Sequence, residues 1–282
     1  MRSVLKCLIS RVAILLAAAL PLPCSYGQSA TQTPELAGIA HVAIRVSDLL
    51  KSRAFYKKLG FEEAFALDQD GAPTEAFLKV NDRQFIELYP QRQPNQTIGF
   101  MHVCFESDNL NGLHDFYIQH GLAPTAVRRA GAGNLLFTME GPEKQNIEYT
   151  QYMPGSRHTN DRGQHLGLHR IAQSIFAVSL AMQDPASARA FYLDKLTFAP
   201  ATPIEPGHIG LALPGATSQQ LEIIQQSSST TAAFELFFTV TDLRQTTTQL
   251  KKLQIPAEKH RGTLAINDPD GNLVVFVRSK EK

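Results

Sequence analysis

The chain repeats one short pattern four times. A unit that cannot bury its own apolar face has to stack on its neighbours to fold. The first copy opens IAHVAIRVSDLLKSRAFYKKLGF (39–61) and closes RQFIELYP (83–90). The second opens GFMHVCFESDNLNGLHDFYIQHG (99–121) and closes QNIEYTQY (145–152). The third runs from SIFAVSLAMQDPASARAFYLDKLTF (174–198) to QQLEIIQQ (219–226). The fourth runs from FELFFTVTDLRQTTTQLKKL (234–253) to DPDGNLVVFV (268–277). Arg-Ala-Phe-Tyr at 53–56 returns at 189–192 and ties the first copy to the third.

Each copy reads as a strand, a helix, then further strands. His41 to Val46 alternates two faces, the period of a strand. Asp48 is placed to cap a helix whose stripe is Leu49, Ser52, Tyr56 and Leu59, and Gly60 suits the position just past its end. Asp108, Asp184 and Asp242 stand at the same place in the other copies. Copies one and two make one half, expected as a domain over 38–153. Copies three and four make the other, expected over 171–280. The stretch MPGSRHTNDRGQHLGLHR (153–170) is polar and Gly-bearing, and its 154–170 part reads as a linker.

Inside the first half a second regularity appears. His41 and Glu87 lie 46 positions apart, as do His102 and Glu148, and a shift of 61 residues carries one pair onto the other. Histidine and carboxylate are metal ligands, so matched spacing suggests a duplicated half-site. Strand alternation supports convergence. His41, Ala43 and Arg45 share a face, opposite Val42, Ile44 and Val46. Phe85, Glu87 and Tyr89 oppose Ile86 and Leu88. His102, Cys104 and Glu106 oppose Val103 and Phe105, and Asn146, Glu148 and Thr150 oppose Ile147 and Tyr149. All four candidates therefore sit on the face away from the helices. An ionised Glu there is costly unless paired or metal-bound.

The chain has 282 residues. Arg2, Lys6 and Arg11 precede an apolar run over 12–22, and Ser25 and Gly27 suit a cut after Gly27. That is the pattern of a secretory signal peptide over 1–27. The run is short for a bilayer span, which takes about 20 residues. A periplasmic or secreted location is expected, with no membrane contact after cleavage. Of three cysteines only Cys104 would then remain, leaving no internal disulfide. A net charge of +1 gives no field to recruit nucleic acid.

The repeated unit, with His on its first strand and Glu on its last, resembles the vicinal oxygen chelate superfamily. This is the group of glyoxalase I, the extradiol dioxygenases and the bleomycin-resistance proteins. The resemblance covers about 38–280 as four βαβββ modules. It implies an α+β fold of two glyoxalase-like domains, each a curved eight-stranded mixed sheet with helices outside. His41, Glu87, His102 and Glu148 fall on the four ligand positions of the family. The DPDGN of 268–272 is a turn typical of its last module. In the second half the corresponding positions are expected at Ala177, Glu222, Leu236 and Val275. That half would be a structural copy that has lost its site.

Two imidazoles and two carboxylates neutralise a divalent cation and leave two coordination positions for adjacent substrate oxygens. Zinc, nickel, cobalt, manganese and iron(II) all accept the set. The resemblance to glyoxalase I implies that Glu87 or Glu148 moves a proton, in isomerase, epimerase or lyase chemistry on a small molecule. A first alternative is extradiol ring cleavage, although Phe137 stands where those dioxygenases carry Tyr. A second is a non-catalytic binding or resistance protein. Glutathione is scarce outside the cytoplasm, and only Arg45 faces the expected cleft. His158, His165 and His169 are expected in a solvated linker, and His114 and His120 on a helix surface. Gly131-Ala-Gly133 is too short to cradle phosphate. The halves either pack within one chain or exchange modules in a homodimer, and the residues leave both open.

Overall fold

The structure, a computed structural model, describes residues 34–215, 217–226 and 234–279. The expected signal peptide lies outside the described residues. The described residues form one compact unit. No helix among the described residues is long and apolar enough to cross a membrane.

Four modules follow one another as the repeats require. Module one is β1 (Gly38–Val46), α1 (Leu49–Lys58), β2 (Glu63–Gln69), β3 (Ala72–Lys79) and β4 (Phe85–Pro90). Module two is β5 (Gly99–Glu106), α2 (Leu110–Gln119), β6 (Arg128–Arg129), β7 (Leu135–Glu140) and β8 (Asn146–Gln151), followed by a single turn, α3 (Arg157–Asn160). Module three is β9 (Ser174–Met182), α4 (Pro185–Asp194), β10 (Ala199–Ala201), β11 (Ile209–Ala212) and β12 (Gln220–Gln225). Module four is β13 (Phe234–Val240), α5 (Leu243–Lys252), β14 (Glu258–His260), β15 (Thr263–Asn267) and β16 (Leu273–Arg278).

Each pair of modules makes one eight-stranded mixed sheet. The orders are β2-β3-β4-β1-β5-β8-β7-β6 and β10-β11-β12-β9-β13-β16-β15-β14. In both, the opening strands of the two modules pair antiparallel at the centre, and each pairs in parallel with the closing strand of its own module. The architecture is the expected pair of glyoxalase-like sheets, α+β.

Local chemistry explains the repeated helix. Asp48, Asp184 and Asp242 each accept a backbone N–H from the first turn, from Lys51, Ser187 and Arg244. In α2 the cap is Asn109, which accepts from Gly112 at 3.1 Å, and not Asp108 as expected. Asp108 is exposed and stands 3.6 Å from Arg83 instead. Gly60 ends α1 at φ +88°, and a Cβ there would come 2.4 Å from Arg170 Cα. Both the conformation and the close backbone approach of the 167–171 segment demand glycine.

The alternation read from the sequence holds. Val42, Ile44, Ile86, Leu88, Val103, Phe105, Ile147 and Tyr149 all enter one apolar core that continues through both halves. Phe61 stacks on Phe238 at 5.1 Å, and Phe105 meets Phe198 at 5.6 Å, each across the two halves. Polar groups join the halves as well. Buried Gln84 donates to Ile39 O and Ile175 O, both at 3.0 Å, and accepts from Ile175 N at 2.8 Å, bridging β1 and β9. In the DPDGN turn Asp268 accepts from the Asp270 and Asn272 backbone and from Tyr56 Oη of α1. Asp270 accepts from Ser47 N, just before that helix. The equivalent turn of module two repeats the device, with Glu143 accepting from Gln183 N and Asp184 N at the start of α4.

Candidate metal centre

The first sheet brings His41, Glu87, His102 and Glu148 together on its concave face. They come from β1, β4, β5 and β8, the four central strands. The register explains the meeting: Ala43 lies opposite both Glu87 and His102, and Cys104 opposite both His41 and Glu148. The four are 4%, 3%, 6% and 8% exposed, so the cluster has left bulk water.

His41 is at the centre. Its Nδ1 lies 3.0 Å from Glu87 Oε1, its Nε2 3.3 Å from Glu148 Oε1 and 3.1 Å from His102 Nε2. His102 Nε2 is 3.9 Å from Glu148 Oε2. His41 Nδ1 is off the hydrogen-bond axis to Glu87 and stays without a hydrogen bond, although buried. A buried polar atom with no partner is rare and calls for an explanation. Two nitrogens facing each other between two carboxylates form a donor set that suits a divalent cation. Two triads of ligand atoms each fit within 4.8 Å: His41, Glu87 and His102, and His41, Cys104 and Glu148.

The electrostatics point the same way. Burial opposes charge on His41, but Cys104 and Glu87 beside it outweigh that and hold its pKa well above the imidazole range. Burial, helped by His41, pushes His102 down. Burial would raise Glu87, yet His41 pulls it down to about 2. Glu148 is also held low, because contact with His41 outweighs burial. A proton on His41 therefore stands where positive charge is needed, between two carboxylates.

Residues that the sequence reading did not single out complete the cleft. Glu75, on β3, is pushed up to about 8 by burial and by Glu87. The Tyr89 hydroxyl bridges Glu75 and Glu87, 3.1 Å from Glu87 Oε2. His158 was expected in a solvated linker, but it is 4% exposed and lines the cavity with His41, Glu87, Glu148 and Tyr89. It stacks on Tyr152 at 5.0 Å and meets Phe85 edge-on at 4.7 Å. Asn134 Nδ2 donates to its Nδ1 at 2.8 Å, while Asn134 Oδ1 accepts from Met153 N. Burial lowers the His158 pKa to about 4. The segment is pinned by Lys79, fully buried, whose Nζ meets Asp161 Oδ2 at 2.7 Å, Asp161 O at 2.6 Å and Asp82 Oδ1 at 2.8 Å. Alternation could have flagged Glu75, which falls on the Glu87 face across β3. Nothing local marks His158. Arg45 turns to Thr97 O. Of the remaining expected outliers, His165 pairs with Asp161, and His120 Nδ1 bonds Phe116 O at 2.8 Å.

The second sheet differs by one residue from expectation. Ser179 matches Ala43, and its partner on β13 is Glu235, not Leu236. Leu236 faces the helices in the shared core. The four equivalent positions are therefore Ala177, Glu222, Glu235 and Val275. Apolar Ala177, Phe237 and Val275 fill much of this concave face. Glu222 is satisfied by His208 Nδ1 at 2.7 Å and Gln220 Nε2 at 2.9 Å. The only ligand triads among the described residues lie in the first sheet. The second sheet nonetheless borders the larger cavity of the two, about 520 Å³ near Phe176 and Thr263, against about 160 Å³ in the first. Size does not follow chemistry here.

Comparison with known proteins agrees with this fold. Residues 38–149 match the model of the Glyoxalase/Bleomycin resistance protein/Dioxygenase superfamily. The mitochondrial methylmalonyl-CoA epimerase of Bos taurus is 35% identical over 88 residues, covering 27% of this chain and 50% of that protein. The match thus spans half the length of this curated relative. The 2,3-dioxygenase LapB of Pseudomonas sp. KL28 superposes with a TM-score of 0.67 at 14% identity, over 88% of this chain and 93% of its own. The Mn(II)-bound glyoxalase of Novosphingobium aromaticivorans gives 0.66 at 15% identity, over 88% and 84%. At such identities these two share the fold.

Proposed function

We propose that this protein, whose residues 38–149 match the Glyoxalase/Bleomycin resistance protein/Dioxygenase superfamily model, is an exported metal-dependent enzyme of proton transfer. Its substrate is a small molecule with two adjacent oxygens, and the proton moves at a carbon next to a carbonyl. The observation that carries this reading is the convergence of two His and two Glu in one buried cleft.

His41, Glu87, His102 and Glu148 would hold the divalent ion. That ion supplies a Lewis acid which stabilises an oxyanion on the substrate. The two carboxylates then differ in freedom. Glu87 is tethered through Tyr89 to Glu75. Glu148 is not tethered to a second carboxylate: it contacts the His41 and His102 imidazoles and is the most exposed of the four. Glu148 is thus the better-placed base to take and return the proton, with Glu87 holding its place. The 160 Å³ cavity admits only a few heavy atoms at the reacting end. The name of the bovine relative places that protein in the same reaction class.

The shared fold with LapB favours one second reading, ring cleavage of a catechol-like substrate. Against it, Phe137 packs at 4.9 Å on Tyr149 in the helix-side core, and the β7 side chain that lines the cleft is Leu136, which offers no hydroxyl. The test is proton NMR of small 2-oxo and 2-hydroxy acids in D2O with metal-loaded protein, beside oxygen uptake with catechol. Deuterium entry at the α-carbon, lost in Glu148→Gln, is expected. Oxygen uptake instead would favour the dioxygenase. Neither, with retained ligand binding, would leave a binding protein. Export is tested by N-terminal sequencing of protein from the periplasm or medium, with Gln28 as the expected first residue.

A further inference from the structure

Cys104 lies inside the cleft and has no part in the chemistry above. Strand register places it there. It sits opposite His41 on β1 and opposite Glu148 on β8, and shares a face with His102 two residues away. It is a free, fully buried cysteine. Its Sγ, a nitrogen of His41 and an oxygen of Glu148 lie within 4.8 Å of one another. A tetrahedral zinc with bonds of about 2.0–2.3 Å sets its ligand atoms roughly 3.6 Å apart, inside that span. The second triad, His41, Glu87 and His102, shares only His41 with the first. His41 in turn carries the buried nitrogen that has no hydrogen bond.

The two triads differ in softness. One has a sulfur; the other has only nitrogen and oxygen. Thiolate favours zinc, while carboxylate-rich sets suit manganese. Charge balances in either case: thiolate plus Glu148 neutralises a divalent ion, as Glu87 plus Glu148 does.

We propose that Cys104 Sγ is a direct ligand, with His41 and Glu148, whenever this cleft takes a thiophilic divalent ion such as zinc or cobalt(II). A hard ion such as manganese is held through His41, Glu87, His102 and Glu148 instead. This rests on the reading that the cleft binds a divalent metal. On binding, the S–H bond breaks, a metal–sulfur bond forms and the proton leaves to solvent. No electron is transferred.

The test uses the full chain with Cys7→Ser and Cys24→Ser, so that Cys104 is its sole thiol. It is loaded with cobalt(II) under nitrogen. The expected spectrum carries a thiolate-to-cobalt charge-transfer band, absent after Cys104→Ser. In competition, Cys104→Ser is expected to lower the zinc-over-manganese preference by about tenfold or more. If Cys104→Ser does not fold, the parent spectrum decides alone, because no other thiol is present. Cobalt bound without the band overturns this inference and leaves the metal function standing. Failure to bind cobalt or zinc overturns this inference, and failure to bind manganese as well overturns the metal function too.

Discussion

His41 Nε2 stands 3.1 Å from His102 Nε2, although 61 residues separate them and each opens a different module. The antiparallel pairing of β1 with β5 brings them together at the middle of the sheet. Two imidazole nitrogens at that distance need a shared proton or a shared cation. The carboxylates of Glu87 and Glu148 on either side make positive charge favourable there.

Because His41 belongs to both triads, its loss should be the most damaging to metal binding. About one divalent ion per chain is expected by mass spectrometry of the wild type. His41→Ala should weaken affinity by about 100-fold or more, beyond the 10–100-fold typical of outer-shell changes. A His41→Ala protein that holds zinc as tightly as the wild type would sink the four-residue site.

Metal affinity should depend steeply on pH. The proton on His41 must leave before its nitrogens can bind a metal. His41 is held well above the ordinary imidazole pKa. Affinity should therefore rise with pH by about tenfold per unit, and go on rising above pH 6.5 until that raised pKa is passed. Isothermal titration with manganese at several pH values reads this directly. A plateau that begins below pH 6 would contradict it.

Glu75 should cost the metal-free protein stability as pH rises. Its folded pKa is about 8, well above the ordinary carboxylate value of 4.5, because burial and Glu87 oppose its charge. Between those values the folded state holds a proton that the unfolded state has lost, so stability falls as pH increases. Glu75→Gln removes that dependence. Thermal melts in chelator should show the variant gaining on the wild type from pH 5 to pH 8. Parallel curves would show that Glu75 ionises normally.

Asp161→Ala should destabilise strongly. It leaves the fully buried Lys79 with Asp82 as its one remaining carboxylate, at 2.8 Å. Removing one partner of a buried ion pair costs about 3–5 kcal/mol. The same change should loosen α3 and with it His158. Urea unfolding measures the first effect and hydrogen exchange over 157–161 the second. A loss under about 1 kcal/mol would mean that Asp82 and water suffice.

Much of this molecule was legible in the chain itself. Repetition, alternation and cap residues determined four modules, the helix-facing core and the shared face of His41, Glu87, His102 and Glu148. These are local properties: strand period and cap chemistry do not depend on distant partners. In module four the expected position is off by one because it pairs Asp108 with Asp242, whereas the residue that caps α2 as Asp242 caps α5 is Asn109, which only the folded backbone reveals. So Glu235, not Leu236, faces the second cleft. Tertiary structure alone decided the rest. Lys79 and Asp161 lie 82 residues apart, yet their buried pairing draws a polar, Gly-bearing stretch onto the first sheet and puts His158 in the wall of the cleft. Cys104 meets His41 and Glu148 only because three strands lie in one register. Such contacts depend on which distant groups can satisfy one another once water is excluded, and no spacing along the chain encodes that.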